Sequence, residues 1–277
     1  MAKKTFTLSA NIENGIAEGL NYIVTPNVQK VLHEIINGYQ TGVHSYSIIG
    51  TYGTGKSSFL LQLEHDLVES HKRNLLKNPK VLYNGKFEIL NILGDFKSLE
   101  ELLRDRLQEA TDSTETNALV LLKSYYSKLK KQGKFLLIAI DEFGKVLEHA
   151  AKINPEEELY FMQKLCEVVN ATTRNILLLT TLHQNFSAYS RKLTTEQKNE
   201  WIKVKGRFQE MVFAEPVEQL LFLAAAHIYT EFKYKICDKH FHKIHQLAID
   251  RKFVSADFSF DTACKLYPMD TFAAYAV

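Results

Sequence analysis

The sequence predicts an α/β fold in which a parallel sheet lies between two layers of helices, followed by a smaller helical segment. Three observations predict it. Gly50-Thr51-Tyr52-Gly53-Thr54-Gly55-Lys56-Ser57 matches the phosphate-loop pattern G-x-x-x-x-G-K-[ST] at every fixed position. Its flanks fit the motif: Ser45-Tyr46-Ser47-Ile48-Ile49 reads as a short buried strand, and Phe59 to Leu67 as an amphipathic helix. Two later apolar runs, Phe135 to Ile140 and Asn175 to Leu182, lead into polar residues. A run apolar at every position is how a strand buried on both faces of a parallel sheet reads.

The elements follow in order. Residues 1–44 form a lead-in region with a helix near Asn27 to Ile36, Pro26 in its first turn and Thr25 as cap. After the loop, the motif's helix ends near Ser70. Lys86 to Leu93 reads as a strand. Ser98 with Glu101 predicts a capping box and a helix. A further helix spans about Asn117 to Lys131, and Gly133 breaks it. The strand at 135–140 then ends on Asp141-Glu142. A helix from about Pro155 to Ala171 carries Glu156, Glu157 and Glu158 in its first turn, where negative charge is favoured. The strand at 175–182 ends on His183-Gln184-Asn185. Thr194 and Gln197 predict another capping box, Lys205-Gly206-Arg207-Phe208 closes that helix, and Met211-Val212-Phe213 is a short strand. Pro216 opens an apolar helix to about Tyr229, and the rest is mostly helical. The alternation of strands and helices stops near residue 215. Residues 45–215 are therefore read as a three-layer P-loop NTPase core with a parallel sheet, and 216–277 as a small helical lid.

The loop's chemistry follows from its residue types. Glycines let the backbone curl so that successive N–H groups point inward at an anion, and the helix N-terminus adds partial positive charge. Gly50, Thr51, Tyr52, Gly53, Thr54, Gly55, Lys56, Ser57 and Ser58 form the expected cradle. Lys56 can reach β- and γ-phosphates, and the Ser57 hydroxyl can ligate Mg²⁺. Asp141-Glu142 falls at the C-terminal end of a buried strand, where ligands sit in open α/β sheets. This is a Walker B arrangement: Asp141 holds Mg²⁺ through water, and Glu142 orients and polarises an attacking water.

Other features bound the function. With 45% hydrophobic and 24% charged residues, the chain has enough apolar material for a sizeable core. A net charge of +2 argues neither for nor against a nucleic-acid partner. No apolar run reaches the ~18 residues of a membrane span. Cys166, Cys237 and Cys264 are scattered and odd in number, which reads as reduced thiols in a cytoplasmic protein. The stretch Cys237 to His245 is rich in zinc-type ligands, but they share one helical stretch and cannot all face one point, so it reads as a histidine-rich helix. Two basic clusters, Lys123, Lys128, Lys130, Lys131 and Lys134, and Lys198, Lys203, Lys205 and Arg207, could contact nucleic acid, although solvated helix faces are commoner. No Ser-His-Asp or Cys-His arrangement stands out. The apolar ending Phe272 to Val277 reads either as a docked tail or, the favoured reading, as the end of a fragment of a longer protein.

The order of strand, P-loop, helix, a later strand ending in Asp-Glu, a polar strand end, Arg-Phe and a helical segment resembles the AAA+ ATPases and, more broadly, P-loop ATPases with an extra strand between the two Walker motifs. The resemblance covers about residues 20–265. It implies ATP as the nucleotide, and no Asn-Lys-x-Asp base-reading motif argues for GTP. It implies that Glu142 activates water, so that the chain is an ATPase rather than a nucleotide store. It implies a γ-phosphate sensor at the end of the next strand, where His183, Gln184 and Thr181 compete and Gln184 and His183 are favoured. It implies an arginine finger acting on a neighbour's site, with Arg207 in the family's position and Arg191 a weaker candidate, and hence a homo-oligomer or a larger assembly. Arg251 is the nearest candidate for a lid arginine. No aromatic-Gly pore loop follows the P-loop helix, which argues against protein unfolding. Tyr52 within the loop, Asp141-Glu142-Phe143-Gly144-Lys145, Leu182-His183-Gln184-Asn185-Phe186, Gly206-Arg207-Phe208 and Tyr267-Pro268-Met269 resemble the N-terminal ATPase modules of large bacterial phage-defence proteins of the BREX type. The expected function is Mg²⁺-dependent ATP binding and hydrolysis that drives a conformational or assembly step. The competing expectations are a non-hydrolysing nucleotide switch and a nucleic-acid-stimulated motor or loader.

Overall fold

The computed structural model describes residue 12 and residues 22–69, 72–171, 173–215, 217–232, 238–256 and 258–276. They belong to two units, Met1–Ala214 and Glu215–Val277.

The first unit comprises α1 (Pro26–Gln40), β1 (Ser45–Ile49), α2 (Lys56–Val68), β2 (Lys86–Leu93), α3 (Leu99–Thr111), α4 (Ala118–Lys131), β3 (Lys134–Asp141), α5 (Phe143–Lys152), α6 (Pro155–Val169), β4 (Ile176–Leu182), α7 (Thr195–Lys205) and β5 (Gln209–Val212). The five strands are parallel, in the order β2-β3-β4-β1-β5. In register, Ile49 lies beside Leu182, Ile140 beside Thr180 and Leu93 beside Asp141. The turns that leave β1, β2, β3 and β4 therefore emerge side by side at one edge of the sheet.

The two-residue period of a strand explains the layers. On β3, Phe135, Leu137 and Ala139 pack with α1 and α2, while Leu136, Ile138 and Ile140 pack with α3 to α7. All six are buried, which is why the run is apolar at every position. Asp141 continues the odd-numbered set, so the strand's own alternation aims it at the face that carries α2.

Most expected elements form, several with their caps. Thr25 accepts the Val28 N–H at the start of α1, and Thr194 and Gln197 close a capping box on α7. Two expectations are corrected. Ser98 makes no side-chain capping bond; the Leu99 N–H, at the start of α3, donates instead to Glu158 Oε2 of α6 at 3.3 Å. A tertiary carboxylate thus replaces the local capping box. Helix α5 was also not foreseen, although its buried Phe143, Val146, Leu147 and Ala150 follow a helical period. Its start is hidden because it begins directly after the strand's acidic pair.

Downstream of α2 the chain is held by one buried carboxylate. Asp66 is fully buried and accepts the backbone N–H groups of Asn74, Leu75 and Leu76, the last two at 2.6 and 2.7 Å, and the Gln62 amide at 2.8 Å.

The second unit holds α8 (Val217–Phe232), α9 (Lys239–Asp250), α10 (Phe260–Cys264) and α11 (Thr271–Ala276) around Leu221, Ala225, Ala248, Val254, Phe258 and Leu266. His242 packs edge-on against Phe260, and buried His245 lies against Phe258 and Phe260, so these two histidines serve aromatic packing. Pro216, Cys237 and the start of the lead-in region lie outside the described residues. Cys166 is free and buried, but Cys264 is disulfide-bonded, which corrects the expectation of three reduced thiols. Separation along the chain carries no information about separation in space.

Asp66→Ala is expected to destabilise the protein by roughly 3 kcal/mol or more, because it leaves several backbone donors unsatisfied, two of them buried. Urea unfolding checks this. A loss below about 1 kcal/mol would show that water replaces the carboxylate.

Candidate phosphate-binding site

The loop is shaped by three glycines with different duties. Gly53 and Gly55 have φ of 78° and 87°, the left-handed region that glycine enters without strain. Gly50 lies so close to the Phe213 carbonyl and the Thr54 hydroxyl that any Cβ would collide with both. Its N–H extends the β1–β4 ladder to Leu182 O at 3.0 Å, and Phe213 N–H does the same toward Ile49 O at 2.6 Å. The loop thus springs from a backbone clamped on both sides. Gly55 is the N-cap of α2 and offers no side-chain cap, so the first-turn amides of that helix face the loop without a side-chain acceptor.

Lys56 is buried beneath the loop and donates to the carbonyls of Gly50 at 2.6 Å and Thr51 at 2.8 Å. Burial lowers its pKa, and the charges of Asp141 and Glu142 oppose that shift. Its ammonium is 3.5 Å from His183 Nδ1. The His183 ring stacks on Tyr52 with centroids 3.5 Å apart, while Tyr52 is otherwise exposed. Burial first, and then the Lys56 charge, push the His183 pKa below its ordinary value, so the ring is neutral at pH 7.

Buried Asp141 stands at the end of β3. Its Oδ1 accepts the Thr181 hydroxyl at 2.5 Å and the Glu142 N–H at 3.1 Å. The Glu142 N–H also donates to Thr181 Oγ1 at 3.0 Å. Glu142 has φ of 54°, a conformation few non-glycine residues adopt, and it is the N-cap of α5. Its carboxylate is ion-paired with Lys145, one turn on, and that contact raises the Lys145 pKa. Gly94 closes against this turn: its N–H donates to Asp141 O at 2.7 Å, and a Cβ there would strike the Asp141 and Glu142 carbonyls.

The residues present fit a magnesium–phosphate group. Oδ1 of Asp141 takes both hydrogen bonds, and among the described residues Oδ2 accepts none. A hydroxyl on Ser57 and a free carboxylate oxygen on Asp141 are the hard oxygen donors that Mg²⁺ prefers, completed by waters and phosphate. Among the described residues there is no cluster of three or more His, Cys, Asp or Glu that would hold a metal without such help.

The structure thus gathers Lys56, Asp141, Glu142, His183 and Tyr52 at one edge, with Thr181 among them. Of the three candidates at the end of β4, Thr181 and His183 turn to the site, whereas Gln184 is exposed and associates with Tyr189. Thr181 is among the candidates the resemblance implies, and its hydroxyl meets Asp141 because β3 and β4 are neighbours. Arg207 is not brought to the loop. It precedes β5, whose first residue Gln209 lies level with Tyr46, roughly 13 Å of extended chain from Gly50 at ~3.3 Å per residue. There it pairs with Glu167 at 3.3 Å. Arg191 is exposed beyond the β4 turn, and Arg251 caps α9 in the second unit. Sequence reasoning also missed Gly94 and Gly144, a Cβ on which would collide with the Tyr189 ring and hydroxyl.

A buried polar pair lies between α2 and β2. Glu64 accepts the Asn91 amide at 2.9 Å, while Glu64 Oε1 and Asn91 Oδ1 have no partner among the described residues. Burial pushes the Glu64 pKa from 4.5 up to about 7, against the Asn91 bond, and the Asp141 charge adds to the rise.

No family model matches the chain, and no curated protein matches it in sequence. Solved structures do match. The ORC2 protein of Aeropyrum pernix, solved in ADPNP-ADP complexes, is 16% identical, with a TM-score of 0.51 over 75% of this chain and 54% of that one. Cdc6p from Pyrobaculum aerophilum is 14% identical, with a TM-score of 0.42 over 73% and 50% of the two chains. Drosophila ORC bound to DNA is 13% identical, with a TM-score of 0.40 over 91% and 63%. The first of these shows a shared fold, the α/β fold with a parallel sheet that the motifs predict. The chain spans about half to two thirds of the length of these structures. Among the described residues no helix is long and apolar enough to cross a membrane.

Thr181→Val keeps the shape of the side chain and removes the hydroxyl, so it should cost about 1–3 kcal/mol in urea unfolding, with Thr181→Ser restoring most of it. Equal stability of the valine variant would refute the clamp. Glu64 titrates with the opposite sign to a salt-bridged acid. Its folded pKa is raised, so stability is full below pH 4.5 and falls as pH rises to about 7, by up to about 3 kcal/mol. Glu64→Gln should abolish that fall, and a wild-type stability profile flat across this window would contradict it.

Proposed function

We propose that this chain is an ATPase: it binds ATP with Mg²⁺ and hydrolyses the β–γ phosphoanhydride bond to drive a conformational or assembly step. One observation carries the reading. The phosphate loop with buried Lys56 and the Asp141–Thr181–Glu142 cluster open at the same sheet edge. The bound ADPNP and ADP of the Aeropyrum pernix protein support an adenine nucleotide on this fold. In this reading the loop amides from Gly50 to Ser58 and the Lys56 ammonium hold the phosphates. Ser57 and Asp141 hold Mg²⁺, which would neutralise charge on the β- and γ-oxygens. Thr181 fixes the Asp141 carboxylate, and Glu142 orients the attacking water and takes its proton. Neutral His183, held by Tyr52, offers a ring nitrogen beside Lys56 for reading the γ-phosphate.

In this reading Arg207, which precedes the edge strand β5 away from the loop, serves a neighbour's site, and turnover depends on a homo-oligomer or a larger parent chain. The helical unit 216–277 would act as the lid, and the motif wording that resembles phage-defence ATPase modules supports a place in bacterial antiviral defence within the cytoplasm. A second reading, a nucleotide switch with little turnover, is favoured by the Glu142–Lys145 ion pair, which engages the carboxylate that hydrolysis needs.

Lys56→Ala should abolish nucleotide binding in calorimetry. Glu142→Gln should leave binding intact and lower turnover by about 10²–10⁴-fold. Turnover of Glu142→Gln at the wild-type rate would remove Glu142 from its role. Absent turnover in wild type, with ADP retained through purification, would establish the switch instead.

A further inference from the structure

The edge of the sheet opposite the phosphate loop carries a charge pattern that nucleotide hydrolysis does not use. Helix α4 contains no acidic residue, and its Lys123, Lys128, Lys130 and Lys131 are all exposed. At 100° per residue these four fall within an arc of about 160°, and they span roughly 12 Å along the helix axis. The turn at Gln132 and Gly133 then delivers Lys134, whose register partner on β2 is exposed Lys86. The turns before the two strands touch, because a Cβ on Gly85 would meet Gly133 O at 2.7 Å. The patch is therefore continuous from α4 to the starts of β2 and β3.

Its charges are largely free. Lys134 pairs with Glu88 at 2.8 Å, whereas Lys86, Lys123, Lys128, Lys130 and Lys131 form no ion pair among the described residues. Two of the acids on the adjoining α3 are occupied at home, Asp105 by Arg104 and Glu109 by Arg106, while Glu100 and Glu101 lie in that helix's first turn. The other basic cluster of the sequence behaves differently. Lys203 pairs with Glu200, Lys205 with Glu210 and Arg207 with Glu167, so three of its four charges are paired.

We propose that the α4 face, with Lys86 beside it, is a sequence-independent binding surface for the phosphate backbone of a nucleic acid. A duplex carries one phosphate per ~3.4 Å of axis on each strand, so the lysine row spans about three to four phosphates. Exposed Ser124 on the same helix adds a hydroxyl donor, whereas the Ser127 hydroxyl already donates to Lys123 O at 2.7 Å. An anionic membrane is the poorer occupant. Interfacial helices insert an apolar face, and the apolar residues Leu121, Leu122, Tyr125, Tyr126 and Leu129 of α4 are already buried in the core. The inference stands apart from the ATPase assignment, since none of these residues touches the loop.

The test is fluorescence anisotropy of a labelled duplex titrated with the full chain between ~50 and ~200 mM salt. Five free lysines predict a log–log salt slope of about −4 to −5. Lys128→Ala, Lys130→Ala and Lys131→Ala together should weaken binding at ~50 mM salt by at least ~10-fold and reduce the slope by about 2 to 3. The corresponding triple arginine variant should bind like wild type. Lys198→Ala with Lys203→Ala should change nothing, and unchanged thermal melting shows that the variants are folded. Absence of salt-dependent duplex binding, an unaltered triple alanine variant, or binding to phosphatidylserine vesicles but not to duplex would each overturn the proposal.

Discussion

Everything at this site depends on where one buried carboxylate is held. Asp141 ends a strand whose side chains from Phe135 onward are all buried, so the sheet fixes its position to the accuracy of a packed core. Burying a carboxylate is expensive unless it is bonded. Here Thr181, from the neighbouring strand, and the Glu142 N–H share one of its oxygens and, among the described residues, leave the other without a hydrogen bond. That arrangement also sets Glu142. Its N–H is drawn back between Asp141 and Thr181, which keeps the residue in the left-handed conformation and starts α5 without a side-chain cap. A single bonding requirement thus places an acid, its neighbour and a helix.

The phosphate loop obeys a complementary rule. Its positive elements are the α2 N-terminus and the Lys56 ammonium, and both are partly withdrawn from water. Burial lowers the Lys56 pKa, and the two carboxylates across the gap oppose that shift. Cation and anions are therefore mutually dependent, and removal of one should disturb the protonation of the other. Arg207, held by Glu167 at the far edge, lies outside this balance.

Much of this was legible in the sequence, because the informative patterns are local. The glycine spacing, the fully apolar strand before Asp141-Glu142 and the Thr194/Gln197 box all encode short-range geometry, and they form as read. What was not legible depends on contacts between distant segments. Ser98 looked like a cap, but Glu158, 60 residues on, does the capping. Thr181 was one of three candidates at the strand end, and its meeting with Asp141 depends on β3 and β4 being neighbours. Gly94 is informative only once β2 and β3 are known to end level. Cys264 looked like an isolated thiol for the same reason.

Hydrolysis at this edge is the central claim, and a single-turnover assay tests it most directly. Labelled ATP, bound to excess purified chain, is followed for release of γ-phosphate with Mg²⁺ present and after its chelation. The account predicts ADP and phosphate formation with Mg²⁺ and none without it, while ATP remains bound in both. Tight binding of ATP with Mg²⁺ and no conversion at any protein concentration would contradict it.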